Sequence, residues 1–443
     1  MKGLLGVIKN AITIAELRKK ILITIALVII YRIGCHVPVP GLSAEAVAKV
    51  ASNGMFGFMD LLSGGALKNA SVFAMGISPY INASIIMQLL TIAIPTLEKI
   101  QKEGEEGRKK IAKITRYATI GLAIFQSVML YINLQKGGSI KNILTANGSF
   151  DIMSLIVIVL SFTAGTAALM WLGEKITEVG IGNGISMLIF AGIVSNAPNA
   201  ASYLYNIIAT DDVLKIAVYF KILVVIVILI VFLAVIAAVV WMEGAERKVP
   251  VQYAKKVVGR KVYGGQNSFV PLKVNSSGVL PIIFAISLLQ FPPTIVTFIN
   301  SSSQWATKMQ EFTTSWLYLV IYAILIVAFT FFYNMVYFDP IDVANNLKKN
   351  GGFVPGLRPG RPTADYIRNV SRRITWFGAF FLAILAIFPS VFQKIAGIFS
   401  SDMGNLNLWF GGTSVLILVG VALETVRQIE AQMLMRHYKG FLE

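Results

Sequence analysis

Long apolar runs, separated by short polar segments, recur along the whole chain. A membrane-spanning helix needs about 20 predominantly apolar residues, and each run is close to that length. The pattern therefore predicts an all-α polytopic membrane protein with about ten transmembrane helices. The predicted spans lie near residues 21–37, 75–95, 117–135, 152–172, 183–200, 214–241, 275–298, 315–337, 374–392 and 410–427.

The stretch before the second span is apolar but repeatedly broken. Gly64-Gly65 interrupts it and Asp60 adds a charge, so residues from about 55 to 68 can form only a short helix, too short to cross a bilayer. Irregular backbone at membrane depth is tolerated where it is buried in protein or lines a water-filled cavity. We therefore predict a short re-entrant helix that lies in an aqueous cavity.

Composition supports a membrane protein and argues against several kinds of chemistry. Of the 443 residues, 56% are hydrophobic and only 14% are charged, against about 25% charged in soluble domains. The one cysteine, Cys35, cannot form a disulfide within the chain, and His36 and His437 lie at opposite ends of the sequence. We expect no metal site, no cofactor and no enzymatic activity.

The formal net charge of +17 follows the predicted topology. Of the 39 Lys and Arg residues, 30 lie in segments on one predicted side of the membrane. Because cytoplasmic segments carry the excess of basic residues, both termini are predicted to be cytoplasmic. The spans themselves are nearly free of the mid-membrane charges that ion-coupled transporters use.

Two long basic segments on the predicted cytoplasmic side, 242–274 and 338–373, stand out. The first contains a predicted hairpin, and the second contains a rigid Pro-Gly turn at 354–360. Connections of about 30 residues are uncommon unless they are functional. We predict that they bind an acidic or phosphate-rich partner, such as ribosomal RNA or an acidic protein. The alternative is that they only set orientation and contact lipid.

Five predicted spans precede residues 198–213 and five follow them. An odd number of spans per half gives the halves opposite topology, and such inverted repeats place a working site near mid-membrane. We predict an N-terminal half at 1–197, an external loop at 198–213, a C-terminal half at 214–428 and a cytoplasmic tail at 429–443.

Glycines and isoleucines near the span ends have more than one interpretation. The run from Gly180 to Gly184 lacks the spacing of a dinucleotide fingerprint and predicts a tight turn and a flexible start to the fifth span. Two isoleucine pairs with four-residue spacing lie on single helical faces: Ile77 with Ile81, and Ile185 with Ile189. By spacing alone they could line a pore, face lipid or belong to the core. A solute transporter and a pore-less insertase remain alternatives to a channel.

Several long motifs, in order along the chain, resemble the SecY family, the large subunit of the protein-conducting translocation channel. The resemblance runs from about residue 12 to the C-terminus, and its pattern is bacterial. The motifs are GISPYINASIIMQLL (76–90), WLGEKITEVGIGNGISMLIFAGI (171–193), PLKVNSSGVLPIIFA (271–285), FVPGLRPG (353–360) and GGTSVLIL (411–418).

This resemblance implies a clamshell of two five-span halves, hinged at 198–213, around an hourglass pore. The pore is closed by an aliphatic ring and, on the periplasmic side, by a short plug helix at about 55–68. The ring positions are Ile77, Ile81, Ile185, Ile189, Ile283 and Ile417. The plug positions are Met55, Phe56, Phe58, Met59, Asp60, Leu61, Leu62, Gly64, Gly65 and Leu67.

The resemblance also implies a lateral gate, at which Asn82 and Phe291 match facing positions. It implies a multi-pass protein of the bacterial inner membrane that works with the small subunits SecE and SecG. Its energy would come from the ribosome or from the motor ATPase SecA, because this chain has no phosphate-binding loop of the GxxxxGK[ST] type. The implied docking residues are Arg247, Arg260, Lys261 and Arg358. Signal-sequence-bearing polypeptides are the implied substrates.

Overall fold

The computed structural model describes residues 11–51, 60, 63–136, 152–209, 218–253, 256–258, 261–263, 267–299, 304–399 and 412–439. Helices dominate these residues. They are α1 Ala15–Gly34, α2 Ala44–Ala51, α3 Ser78–Ala93, α4 Pro95–Lys102, α5 Glu105–Lys136, α6 Ile152–Val179, α7 Gly184–Ser195, α8 Ala197–Ala209, α9 Val218–Gly244, α10 Leu280–Ile299, α11 Gln304–Thr314, α12 Trp316–Tyr337, α13 Pro340–Lys349, α14 Arg361–Phe399 and α15 Gly412–Lys439. The strands are β1 Glu246–Tyr253, β2 Lys256–Val258, β3 Lys261–Tyr263, β4 Asn267–Lys273 and β5 Gly352–Phe353.

Each of the ten predicted spans overlaps a helix: α1, α3, α5, α6, α7, α9, α10, α12, α14 and α15. Within the described residues, six helices are long and apolar enough to cross a membrane, and a bent pair adds a seventh. Helix α1 falls outside this count because it carries four basic residues, Arg18, Lys19, Lys20 and Arg32.

Local capping explains where several helices begin. The Asn183 side chain accepts hydrogen bonds from the N–H groups of Ile185 and Ser186 and so caps α7. Asp339 caps α13 in the same way, with Pro340 in the first turn. These caps satisfy backbone donors that have no partner within the helix. The bent pair is α3 and α4, which meet at 100° immediately before Pro95.

The described chain divides into two compact units. The first comprises Met1–Tyr203, Pro292–Thr307 and Val421–Glu443, and the second comprises Leu204–Phe291 and Lys308–Gly420. In the first unit, a buried cluster joins the segment between α1 and α3 to α5 and α6. Its members include Val39, Leu67, Met75, Leu130, Tyr131, Ile158 and Phe162. The connecting segments pair through Val39 N–H to Ala70 O at 2.9 Å and Val72 N–H to Val37 O at 3.0 Å.

The second unit contains a small sheet in the order β4-β1-β5. Strands β1 and β4 form an antiparallel ladder from Glu246↔Lys273 to Gln252↔Asn267. Strand β5 joins β1 through Gln252↔Phe353. The hairpin predicted within 242–274 is therefore confirmed, and a second small hairpin, β2–β3, lies within it.

The structure adds secondary structure to three predicted segments. Most of the predicted loop 198–213 is helical, since α8 runs from Ala197 to Ala209. The predicted loop 338–373 contains α13 and β5, and α14 already begins at Arg361. The short helix predicted at about 55–68 has ended before Gly64, because residues 64–67 lie in turns. Short helices depend on tertiary packing, so the local sequence pattern predicts their presence and their ends poorly. The division of the chain into two halves stays a prediction.

Candidate functional site

A tight corner, residues 63–65, lies within the predicted plug segment of about 55–68; we call it the Gly64 corner. Gly64 has a φ of 69° and Gly65 a φ of 85°, a left-handed conformation that favours glycine. Gly64 also has no room for a side chain. A Cβ there would lie 2.7 Å from Ser195 Oγ and 2.9 Å from the Gly192 Cα. The corner therefore requires glycine for both conformation and space.

The carbonyl groups of the corner are held by side chains from distant parts of the first unit. The Tyr31 hydroxyl donates to Ser63 O at 2.8 Å. The Arg32 guanidinium donates through Nη1 to Gly64 O, also at 2.8 Å. The Ser195 hydroxyl lies 3.4 Å from the same Gly64 oxygen. The ends of α1 and α7 are thus joined through the backbone of the corner.

Asp60, which precedes the corner in the chain, accepts hydrogen bonds from residues in and just after it. The Gly65 N–H donates to Asp60 O at 2.9 Å, and the Lys68 N–H donates to Asp60 Oδ1 at 3.0 Å. The Lys68 ammonium lies 3.5 Å from Asp60 Oδ2. Burial raises the pKa of the Asp60 carboxyl, and the contacts with Lys68 oppose that shift.

The predicted ring positions divide between the two units. In the first unit, Ile77 and Ile189 are buried, while Ile81 and Ile185 are half-buried. Ile77 follows Gly76, whose own Cβ would lie 3.2 Å from Ser63 Cβ, so α3 starts directly beside the Gly64 corner. In the second unit, Ile283 on α10 is half-buried and Ile417 on α15 is buried. Their arrangement as one ring stays a prediction.

Other predicted site residues are placed only in part. Asn82 is half-buried on α3, and Phe291 lies within α10. Their facing arrangement stays a prediction. Within the predicted plug, Asp60, Gly64, Gly65 and Leu67 are described, and Leu67 is buried. The remaining plug positions, Met55, Phe56, Phe58, Met59, Leu61 and Leu62, lie outside the described residues, as does Arg260.

The two basic segments predicted to bind a partner come together in the second unit. Strands β1, β4 and β5, helix α13 and the first turns of α14 share one apolar core, and we call this part the β-module. Its buried members are Val249, Val251, Leu272, Leu347, Val354 and Ile367. Its surface carries exposed basic side chains, among them Arg247, Lys273, Lys349, Arg358, Arg361 and Arg372. The sequence identified both segments but not their common core.

The predicted rigid turn holds Arg358 at the edge of this module. The Thr363 hydroxyl donates to Arg358 O at 2.8 Å, and the Leu357 N–H donates to Val354 O at 3.1 Å. Gly356, with a φ of 83°, supplies the left-handed position in the turn. The Arg358 side chain is exposed. A charge fixed in this way can meet a docked partner with little loss of backbone freedom.

The base of the β-module is joined to α9. The Val274 N–H donates to Ala245 O at 3.1 Å. Asn275, which is buried, donates through Nδ2 to Glu243 Oε1 at 2.7 Å. Sequence reasoning missed this contact, as it missed those of Tyr31, Arg32 and Ser195. An arginine within an apolar span is a functional signal by itself, so Arg32 could have been found.

Comparison with known proteins gives matches over almost the whole chain. The family model named SecY matches residues 71–426. The protein translocase subunit SecY of Streptomyces scabiei is 44% identical over 438 residues, covering 96% of this chain and 97% of its own length. The SecY subunits of Halalkalibacterium halodurans and Thermotoga maritima are 43% and 41% identical, each covering 98% of this chain and, respectively, 99% and 97% of their own lengths.

Solved structures agree on the fold. A protein-conducting channel aligns with a TM-score of 0.60 at 19% identity, over 94% of this chain and 92% of that one. A SecY protein whose plug domain stabilises the closed channel and maintains a membrane seal aligns with a TM-score of 0.66 at 18% identity, over the same shares. The Sec61 channel of a canine ribosome–channel complex aligns at 0.52 and 17% identity, over 94% and 92%. The predicted all-α polytopic membrane fold is confirmed.

Proposed function

The chain belongs to the SecY family of protein translocase subunits, and we propose that it forms the channel through which unfolded polypeptides leave the cytoplasm. The observation that carries this function is identity of 41–45% to translocase subunits over nearly the full chain, combined with the fold of protein-conducting channels. The solute-transporter alternative receives no support from these comparisons.

The six ring isoleucines would form the constriction of this pore. A narrow apolar ring excludes water and ions. It also lacks hydrogen-bonding groups, so it can close around many different translocating chains without sequence preference. Both properties suit a channel that must pass diverse polypeptides while the membrane stays sealed. The plug, at about 55–68 and including the Gly64 corner, would add a second seal on the periplasmic side.

A lateral gate would let apolar segments leave the pore sideways into lipid, which favours an apolar stretch of about 20 residues. The gate seam would run between α3 and α10, with Asn82 facing Phe291. Exchange of both residues for cysteine, in a Cys35→Ser background, tests this seam. A disulfide that blocks export, with recovery on reduction, supports the seam. If both thiols react with a maleimide but form no disulfide, the facing assignment is wrong.

The β-module would be the docking surface for the energy source. Its exposed arginines and lysines suit the ribosome or the SecA motor, since clustered basic side chains attract phosphate-rich or acidic partners. The same basic bias supports cytoplasmic termini. The identity to bacterial translocase subunits supports a position in the bacterial inner (plasma) membrane. The small subunits SecE and SecG would complete the complex, as expected for a family that works in translocon assemblies.

Reconstitution tests the proposed function directly. The full chain, with SecE and SecG, is inserted into liposomes and supplied with SecA, ATP and a secretory preprotein. We expect the preprotein to become protected from external protease only when ATP and an intact signal sequence are both present. Liposomes without the chain and a preprotein without its signal are the controls. Equal protection in either control would show that this chain is not the channel.

A further inference from the structure

We propose that Arg32, assisted by Tyr31, is a positioning residue that holds the Gly64 corner against α1 and α7 in the resting channel and so sets how selectively polypeptides are admitted. This inference rests on the proposed function, because selectivity has meaning only in a channel that exports polypeptides.

The first argument is the kind of contact that Arg32 makes. Arg32 is half-buried, and its guanidinium donates to Gly64 O at 2.8 Å. A hydrogen bond from a charged donor is about twice as strong as a neutral one, and partial exclusion of water strengthens it further. Arg32 is therefore the strongest single connection between α1 and the corner.

The second argument is that neighbouring contacts hold the same short stretch of backbone. Tyr31, one residue before Arg32, holds the adjacent Ser63 carbonyl at 2.8 Å. The Tyr31 side chain is almost fully buried, and its ring stacks on Phe73 at a centroid distance of 6.2 Å. Two consecutive residues of α1 thus bind two consecutive carbonyl groups of the corner.

The third argument is the position of the corner beside helices that carry predicted ring residues. Gly64 lies against Gly192 of α7, one turn after Ile189. Ser63 lies against Gly76, next to Ile77 at the start of α3. A movement of α7 or α3 during opening would therefore disturb the corner directly. Arg32 opposes that movement, since it ties the corner to α1.

A thiol-labelling experiment measures how often the corner releases. The full complex carries Cys35→Ser and Ser63→Cys, which puts one thiol at a position that is 1% exposed. We expect Arg32→Gln to raise the rate of maleimide labelling there about tenfold, the effect of losing about 1.4 kcal/mol. Arg32→Lys keeps the charge and should restore most of the slow labelling. The control is a matched complex that carries Cys35→Ser and Ser127→Cys, since Ser127 is also buried. Its rate of maleimide labelling should be the same in all Arg32 variants.

Export supplies the second readout. We expect Arg32→Gln to raise export of a preprotein with a defective signal sequence relative to an intact one, again about tenfold. Tyr31→Phe removes one hydrogen bond and keeps the ring, so it should shift the ratio in the same direction but less. Ser195→Ala should shift the ratio in the same direction but least of the three, because its hydroxyl bonds more closely to Gly192 O, at 2.7 Å, than to Gly64 O, at 3.4 Å. Arg116→Gln, which breaks a distant ion pair with Glu174, is the matched control.

The outcomes separate this inference from the proposed function. Unchanged labelling and unchanged selectivity in Arg32→Gln would overturn the role of Arg32. Faster labelling at Ser127 as well, with no rescue by lysine, would indicate general loosening and also overturn it. A wild-type complex that exports nothing would instead refute the proposed function, and the labelling rates would still test the corner.

Discussion

Gly64→Ala should loosen the resting channel for two reasons. The corner has no room for a side chain, and its left-handed backbone conformation disfavours alanine. At a φ of 69°, alanine costs about 1–2 kcal/mol relative to glycine. The new methyl group would also lie 2.9 Å from the Gly192 Cα, which is backbone and cannot rotate away. Overpacking of this kind costs about 1–3 kcal/mol. The sum, about 3 kcal/mol, corresponds to roughly a hundredfold shift away from the resting arrangement.

Two other glycines separate the packing cost from the backbone cost. Gly65 has a similar φ of 85°, but among the described residues a Cβ there would meet only Asn196 Oδ1, at 3.7 Å. Gly65→Ala should therefore cost only the backbone strain, about 1–2 kcal/mol. Gly104, between α4 and α5, has a φ of 81°, and no atom of the described residues lies within 4 Å of its Cβ position. Gly104→Ala carries the same strain far from the corner.

The assay is the ion conductance of the resting complex in a planar bilayer, with export of a defective-signal preprotein measured in parallel. We expect the largest leak for Gly64→Ala, a smaller one for Gly65→Ala and wild-type conductance for Gly104→Ala. Equal leaks for the first two variants would refute the packing argument. A leak in the third would show that backbone strain anywhere opens the channel, and the assignment to the corner would fail.

Three further perturbations test other parts of the proposal. Ile81→Asn combined with Ile283→Asn should raise resting conductance severalfold, since polar side chains rehydrate an apolar constriction; unchanged conductance would exclude both from the ring. Arg358→Glu should weaken binding of SecA to the purified complex by at least tenfold and leave conductance unchanged. Arg372→Glu is the control: an equal loss of SecA affinity there would show that any charge reversal on this surface weakens binding. Thr363→Val removes the hydrogen bond to Arg358 O at a cost of about 1 kcal/mol, so SecA affinity should fall by about fivefold; wild-type affinity would mean that the turn needs no such support.

The spans were predictable because the membrane imposes a simple requirement on sequence. Each needs a long apolar run, and all ten predicted runs overlap helices. The hairpin in 242–274 was predictable from its alternating pattern, and Gly64-Gly65 was correctly identified as a break. Such features depend on residues that are neighbours in the chain, so sequence carries them directly.

Short helices were harder to predict. Helix α8 has 13 residues and begins at Ala197, inside a stretch that was predicted to be a loop. Pro198 does not prevent this, because the first turn of a helix needs no N–H from proline. Helix α13 has only 10 residues, and its buried Leu347 belongs to the core of the β-module. Isolated helices of this length are marginal in water, so packing decides whether they form.

The sequence by itself determined the membrane class, the position of the spans, the basic segments and the break at Gly64-Gly65. Only the tertiary structure decided what holds that break in place. The groups that hold it come from residues 31, 32, 35 and 195, and they bind backbone oxygens, which every residue possesses. The residue type at a position therefore does not indicate whether its carbonyl group will accept such a hydrogen bond. The common core of the β-module was likewise not predictable from sequence. Apolar side chains pack against whichever apolar groups the fold brings near, so two distant segments carry no shared pattern that indicates their contact.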